Sequence, residues 1–296
     1  MMPRTPWLIG ALAASALGGA ALVAPATFRP AFLQAETIDT SRLTPTFFDD
    51  FGGGRLDLAK WSQGEPGDPV TSRTLGNNAE HQVYFDPRYL GLGIQPLSFR
   101  DGRLTITARR LSAPERTAVA AGVAKLPPDQ RFPAFPQLAY SSGRITTLGR
   151  FSQMYGYFEI RARFDPGRGL WPAFWLLPSG GGWPPEIDVM EVLGHEPNTV
   201  YATVHSTAAP RQTVISQLSG RDDGWHRYGV RWGPETIDVF VDGIKTGSAR
   251  TPSDAHQPMY MIVNLAVGGN WPGYPDAATK FPATLDVDYV RAWKLP

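Results

Sequence analysis

Apolar and polar residues alternate in short runs from Phe47 to Trp293, and clusters of turn residues separate the runs. Such alternation has the period of a β-strand, whose successive side chains point to opposite faces. It predicts strands near residues 80–84, 103–108, 144–151, 155–164, 173–177, 186–193, 201–205, 226–232, 237–241, 259–267 and 285–293. Asp101-Gly102, Asp165-Pro166-Gly167, Ser179-Gly180-Gly181-Gly182 and Asp242-Gly243 are the turns between them. Strands with regular turns and almost no helical periodicity predict an all-β fold, a sandwich or a barrel. Residues 36–45 read as a polar linker, and the domain begins at Phe47-Phe48-Asp49-Asp50-Phe51 and runs over 46–296.

Residues 110–139 break the pattern. Ala118 to Ala124 could form a short helix, whereas Pro127, Pro128, Pro133 and Pro136 stop any longer element. The stretch reads as an inserted loop, either surface padding or a wall beside a cleft.

Composition narrows the classes. At 296 residues the chain fits one large domain or two small ones, and 42% hydrophobic residues suffice for a substantial core. Lys and Arg number 28 against 27 Asp and Glu, a net charge of +1 that recommends neither nucleic acid nor an anionic membrane as partner. There is no cysteine, which excludes disulfides and thiolate chemistry. Arg4 precedes an apolar run from Trp7 to Val23, and Ala24-Pro25-Ala26 offers a cleavage site. Residues 1–35 therefore read as a signal peptide and leader, with an uncleaved anchor as the alternative; either places the domain outside the cytoplasm, secreted or periplasmic.

The densest chemistry lies in Pro185-Glu186-Ile187-Asp188-Val189-Met190-Glu191-Val192-Leu193. On a regular strand Glu186 and Asp188 share a face and Glu191 has the wrong parity. One extra residue, a β-bulge around Val189-Met190, would return Glu191 to the acidic face. Three carboxylates in a row suit glycoside hydrolysis, in which a nucleophile and a proton donor stand about 5–5.5 Å apart in retaining enzymes. Like charges so close cannot all ionise cheaply, so one pKa must rise. The alternative is a charged edge strand that merely resists aggregation.

Aromatic residues cluster just before this strand, in Leu170-Trp171-Pro172-Ala173-Phe174-Trp175, with Trp183, Trp225 and Trp271 as further candidates. Indole faces suit the C–H face of a sugar ring, although strand aromatics also fill cores. His205 could hydrogen-bond a carboxylate or a hydroxyl, and Arg144 could hold a sugar or pair with an acid; each could equally be structural.

Several blocks together resemble glycoside hydrolase family 16: Ser142-Gly143-Arg144-Ile145-Thr146-Thr147, residues 155–163, residues 169–178, the E-I-D-V-M-E run at 186–191, residues 264–273 and Val287-Asp288-Tyr289-Val290-Arg291. The extra residue in the acidic run is similar to the laminarinase-like branch rather than the lichenase branch. The resemblance covers residues 46–294 apart from the insertion. It implies a β-sandwich of the jelly-roll type with a concave substrate cleft. By position it implies Glu186 as nucleophile, Glu191 as general acid/base and Asp188 as the assisting carboxylate. It carries sugar contacts over to Asn78, Glu80, Arg144, Trp171, Trp175, His205 and Trp271. It also implies a structural calcium on the convex side, at Asp50, the Gly102 carbonyl and Asp288, and no cofactor for catalysis. Ser206 departs from the family, which often has glycine there.

The expected function is a monomeric, retaining endo-β-glucanase acting on β-1,3 or mixed β-1,3/1,4 links of a polysaccharide. Two alternatives remain open: a glycanase or transglycosylase of the same family acting on an exopolysaccharide, and a carbohydrate-binding protein without catalysis.

Overall fold

The computed structural model describes residues 35–64, 67–219 and 224–296; the expected signal segment lies outside these apart from Ala35. In chain order the strands are β1 (Thr44–Asp49), β2 (Gln82–Tyr84), β3 (Leu97–Arg100) and β4 (Arg103–Arg110), then helix α1 (Ala113–Ala124). There follow β5 (Tyr140–Ser142), β6 (Arg144–Thr146), β7 (Gly156–Phe164), β8 (Leu170–Pro178), β9 (Glu186–Val192), β10 (Thr199–His205) and β11 (Gln212–Gln217). The chain ends with β12 (His226–Trp232), β13 (Thr236–Val241), β14 (Ile244–Arg250), β15 (Met259–Val267) and β16 (Ala283–Lys294).

Two sheets pack face to face. One has the order β14-β13-β12-β7-β16-β4-β5-β2, with β1 on β16 and β3 on β4; the other has the order β11-β10-β9-β8-β15-β6. Pairing is antiparallel except between β2 and β5. Alternation explains the layering: Leu104, Ile106 and Ala108 of β4 and Leu285 and Val287 of β16 point inward, while the residues between them reach the outer face. Their inward faces meet Phe174, Leu176, Ile187, Met190, Val263 and Leu265 of the second sheet in one continuous core. That is the jelly-roll sandwich the sequence predicts.

Five strands escape the sequence pattern: β1, which begins inside the expected linker, β3, β5, β11 and β14. β11 and β14 are edge strands rich in Gln, Thr, Ser, Lys and Arg, with little apolar alternation to read. The strand expected over 144–151 stops at Thr146, because the chain turns through Gly149 at φ 70°.

The insertion is more ordered than its composition suggests. α1 starts five residues before the expected helix; Pro114 occupies its first turn, and Glu115 accepts the Ser112 N–H at 2.7 Å. Arg109 also binds Glu115, at 2.7 Å, and that hydrogen bond chiefly holds its carboxyl down to about 2. Val119, Leu126, Phe135 and Leu138 join Val70, Val83, Phe85 and Tyr89 in a second, smaller apolar cluster. No helix among the described residues is long and apolar enough to cross a membrane.

The positions expected to hold calcium lie at one region of the first sheet. The β1–β16 ladder ends at the pair Asp49–Val290, and Val287 faces Leu104 just past the Gly102 turn. Asp288 Oδ2, however, is bound to Arg161 Nη1 at 2.7 Å, and Asp50 Oδ1 accepts the Gly52 N–H. One oxygen of each carboxylate is thus engaged, and a calcium ion held here would share Asp288 with the Arg161 guanidinium.

Candidate active site

One exposed face of the second sheet forms the floor of a groove of about 810 Å³. The pairing sets its rows. Ile215, Tyr201, Glu191, Ala173, Asn264 and Arg144 face one another across β11, β10, β9, β8, β15 and β6; Thr213, Thr203, Asp188 and Trp175 form the next row. Beyond these, His205 faces Glu186.

The predicted bulge is present. Tyr201 pairs with Glu191 and Thr203 with Asp188, so Ala202 alone faces both Val189 and Met190. On the other side Phe174 occupies the same place between Ala173 and Trp175. Val189 and Met190 are both buried, in the core, and Glu191 regains the face of Glu186 and Asp188.

All three acids are strongly desolvated. Asp188 and Glu191 are 3% and 8% exposed, and burial, followed by the charges of the neighbouring acids, pushes both carboxyls well above the ordinary range. Burial raises Glu186 less far, because His205, the Trp183 N–H and Asp188 each favour its ionised form. The influence runs one way along the row: Glu191 favours the ionised form of Asp188, and Asp188 favours that of Glu186. Asp188 Oδ2 is buried and has no hydrogen-bond partner among the described residues.

Side chains from the neighbouring strands and from the β8–β9 connection hold the ends of this row. Trp171 Nε1–H donates to Glu191 Oε1 at 3.0 Å, and Trp183 Nε1–H donates to Glu186 Oε2 at 3.1 Å. His205 Nε2 lies 3.2 Å from Asp188 Oδ2 and 3.6 Å from Glu186 Oε1. Burial, then the nearby Arg211 charge, lower its pKa against the pull of Glu186. Glu186, Asp188 and His205 bring one ligand atom each within 4.8 Å, a donor set a divalent transition ion could use in competition with this chemistry.

Trp175 Nε1–H donates to Asn264 Oδ1 at 2.7 Å, which fixes its ring on the groove floor. Trp271 stands 42% exposed on the loop after Gly268 and Gly269, whose φ values of 76° and 138° suit glycine. It packs edge-on against Trp171 and Tyr201, at 5.4 and 5.0 Å between ring centroids. Asn78 lines the groove and donates to Glu80 Oε1 at 3.1 Å. Glu80 is 1% exposed and also accepts from Gln82 Nε2 and the Leu75 N–H. It organises the loop that presents Asn78 more than it offers itself to a sugar.

Two expectations change. Arg144 lies in the floor row, but the segment before β2 covers it: its Nη2 donates to the Ser72 carbonyl at 2.8 Å, and the groove does not reach it. Trp225 sits under the guanidinium groups of Arg161 and Arg163, at 5.0 and 4.9 Å, away from the groove. Tyr201, Thr203, Asn264, Arg211 and Phe132 line the groove without having been singled out in the sequence. Tyr201 and Thr203 share the parity of His205, and Asn264 is the one amide in an otherwise apolar strand; both signals were readable.

Replacing Trp183 by Phe removes the only N–H on Glu186 Oε2 among the described residues. Turnover is expected to fall a few-fold to about tenfold, the scale of one hydrogen bond to a charged group at a half-exposed site. That N–H lowers the pKa of Glu186, so its loss raises it, and the acidic limb of the pH–rate profile moves to higher pH. A profile that keeps its acidic limb would separate Trp183 from the ionisation of Glu186.

The profile for glycosyl hydrolases family 16 matches residues 95–291. Endo-1,3-1,4-beta-glycanase EglC of Rhizobium meliloti is 42% identical over 264 residues, 87% of this chain and 53% of that protein. Glucan endo-1,3-beta-glucosidase A1 of Niallia circulans is 34% identical, over 83% of this chain and 37% of its own. The chain thus spans about half the length, or less, of these curated relatives. Among solved structures, the laminarinase catalytic domain of Thermotoga maritima superposes with a TM-score of 0.69 at 28% identity, over 86% of this chain and 99% of that one. The endo-beta-1,3-glucanase of Pyrococcus furiosus does so with 0.70 at 29%, over 88% and 97%.

Proposed function

The chain belongs to glycosyl hydrolase family 16, and on that premise we propose that it is a retaining endo-β-glucanase cleaving β-1,3 or mixed β-1,3/1,4 links inside a polysaccharide. The observation that carries the reading is the bulged strand that sets Glu186, Asp188 and Glu191, all desolvated, in one row on the floor of an aromatic groove. A protonated Glu191 can protonate the departing glycosidic oxygen while ionised Glu186 attacks the anomeric carbon. Water activated by Glu191 then releases the sugar from Glu186. Trp171, Trp175 and Trp271 offer flat apolar faces to successive rings, and the groove continues past the acids toward both β11 and β15. A polymer bound across both sides is cut internally.

The test is incubation with laminarin, lichenan and cellulose, with products sized over time and the first-formed anomer read by NMR. Early mixtures of oligosaccharides and the β-anomer are expected from the first two. Release of glucose alone, or the α-anomer first, would overturn the endo or the retaining assignment respectively.

A second reading concerns the polymer. Arg211 is the one arginine lining the groove among the described residues, is exposed, and makes no ion pair or hydrogen bond with them. It supports a polymer carrying a carboxylate or sulfate substituent, as acidic exopolysaccharides do, and the panel above should include one. Relaxed discrimination between neutral and acidic polymers in Arg211→Ala would favour this reading.

A further inference from the structure

We propose that the 110–139 insertion is part of the substrate site, and that Phe132 is a stacking platform for a pyranose ring at the β15 end of the groove. The inference rests on the glucanase reading above and adds a specificity-determining residue to it.

The insertion reaches the groove through one side chain. Phe132 is half-buried, packs on the second apolar cluster, and meets Phe135 edge-on at 5.3 Å between centroids. Its neighbour Arg131 donates to the Ala124 and Leu126 carbonyls at 2.8 and 2.9 Å, tying this point of the chain to the end of α1. The remaining face of the Phe132 ring lines the groove.

The loop beneath it is shaped for that contact. A Cβ on Gly76 would lie 2.3 Å from Phe132 Cδ2, so only glycine lets the ring rest on the backbone there. Gly76 opens the turn Gly76–Asn78, and the Asn78 carbonyl accepts the Asn270 N–H at 2.8 Å, beside Trp271. Asn77 and Asn78 present amides next to the ring. A flat apolar face beside two amides matches a sugar ring, with C–H groups on one side and hydroxyls around its rim.

The test compares Phe132→Ala, Phe132→Leu and Phe132→Trp on laminarin and on short β-1,3-gluco-oligosaccharides. Ala and Leu are expected to raise KM for the polymer about five- to tenfold, with a smaller change in kcat, and to shift the lengths of early products. Leu keeps apolar bulk against Phe135, so a purely structural role would leave KM near that of wild type; Trp keeps a ring and should restore it. Gly76→Ala, which displaces the ring, should resemble Phe132→Ala. KM and product lengths within twofold of wild type in both Ala and Leu variants, or no recovery with Trp, would overturn the proposal while glucanase activity itself stands. If wild-type protein cleaves no β-glucan, the underlying reading fails instead.

Discussion

Glu186→Gln is expected to lower turnover on a β-glucan by on the order of 10⁴-fold or more, the scale for losing a covalent nucleophile. Oligosaccharide binding should persist, because the rings that line the groove are untouched and glutamine keeps the volume of Glu186. The amide cannot form the glycosyl ester, so the first chemical step is lost whatever the leaving group. Glu186→Ala tests the role more sharply. Azide can enter the vacated space and attack from the same side, giving the α-glycosyl azide. A β-azide from this variant, or turnover near that of wild type in Glu186→Gln, would remove the nucleophile assignment.

Glu191→Ala should behave differently, and the contrast separates the two glutamates. On a polysaccharide, whose leaving group needs a proton, loss on the order of 10²–10⁴-fold is expected, the range of general acid catalysis. On an aryl glycoside with a good leaving group the first step survives. The glycosyl-enzyme then accumulates, because water has lost its base, and azide should release it as the β-glycosyl azide. The pH dependence follows from the same positions. Activity requires Glu186 ionised and Glu191 protonated, so it falls on the acidic side as Glu186 takes a proton and on the basic side as Glu191 loses one. Burial and the neighbouring acids raise Glu191 further than Glu186, which opens the window between them. In Glu191→Ala, assayed with an activated substrate, the basic limb should disappear. A basic limb that persists there would assign it to another group. Because the three acids act on one another's ionisation, both limbs report the triad as a unit rather than single residues.

Much of this site could be read before any coordinates, and the reasons are physical. A strand forces side chains two apart onto one face, so Glu186 and Asp188 follow from spacing alone, and the odd position of Glu191 points to an irregularity. Long apolar strands such as Met259–Val267 announce themselves, whereas the polar edge strands β11 and β14 carry no burial signal. What the sequence withholds is which loop covers which part of the sheet. Arg144 has the right parity and still misses the groove, since the segment around Ser72 lies over it. Phe132 is invisible for the converse reason: it belongs to a proline-rich stretch with no periodicity, and only its packing on Gly76 brings it to the groove.

The extra residue in β9 also bears on how such chains drift. Val189 and Met190 both turn inward at one rung of the ladder, so the polar face does not depend on how many residues the strand contains at that point. With either one missing, simple alternation would still carry the last acid to the side of the first two, and the damage would be a void beneath them. A lineage can therefore gain or lose a codon here and keep its chemistry.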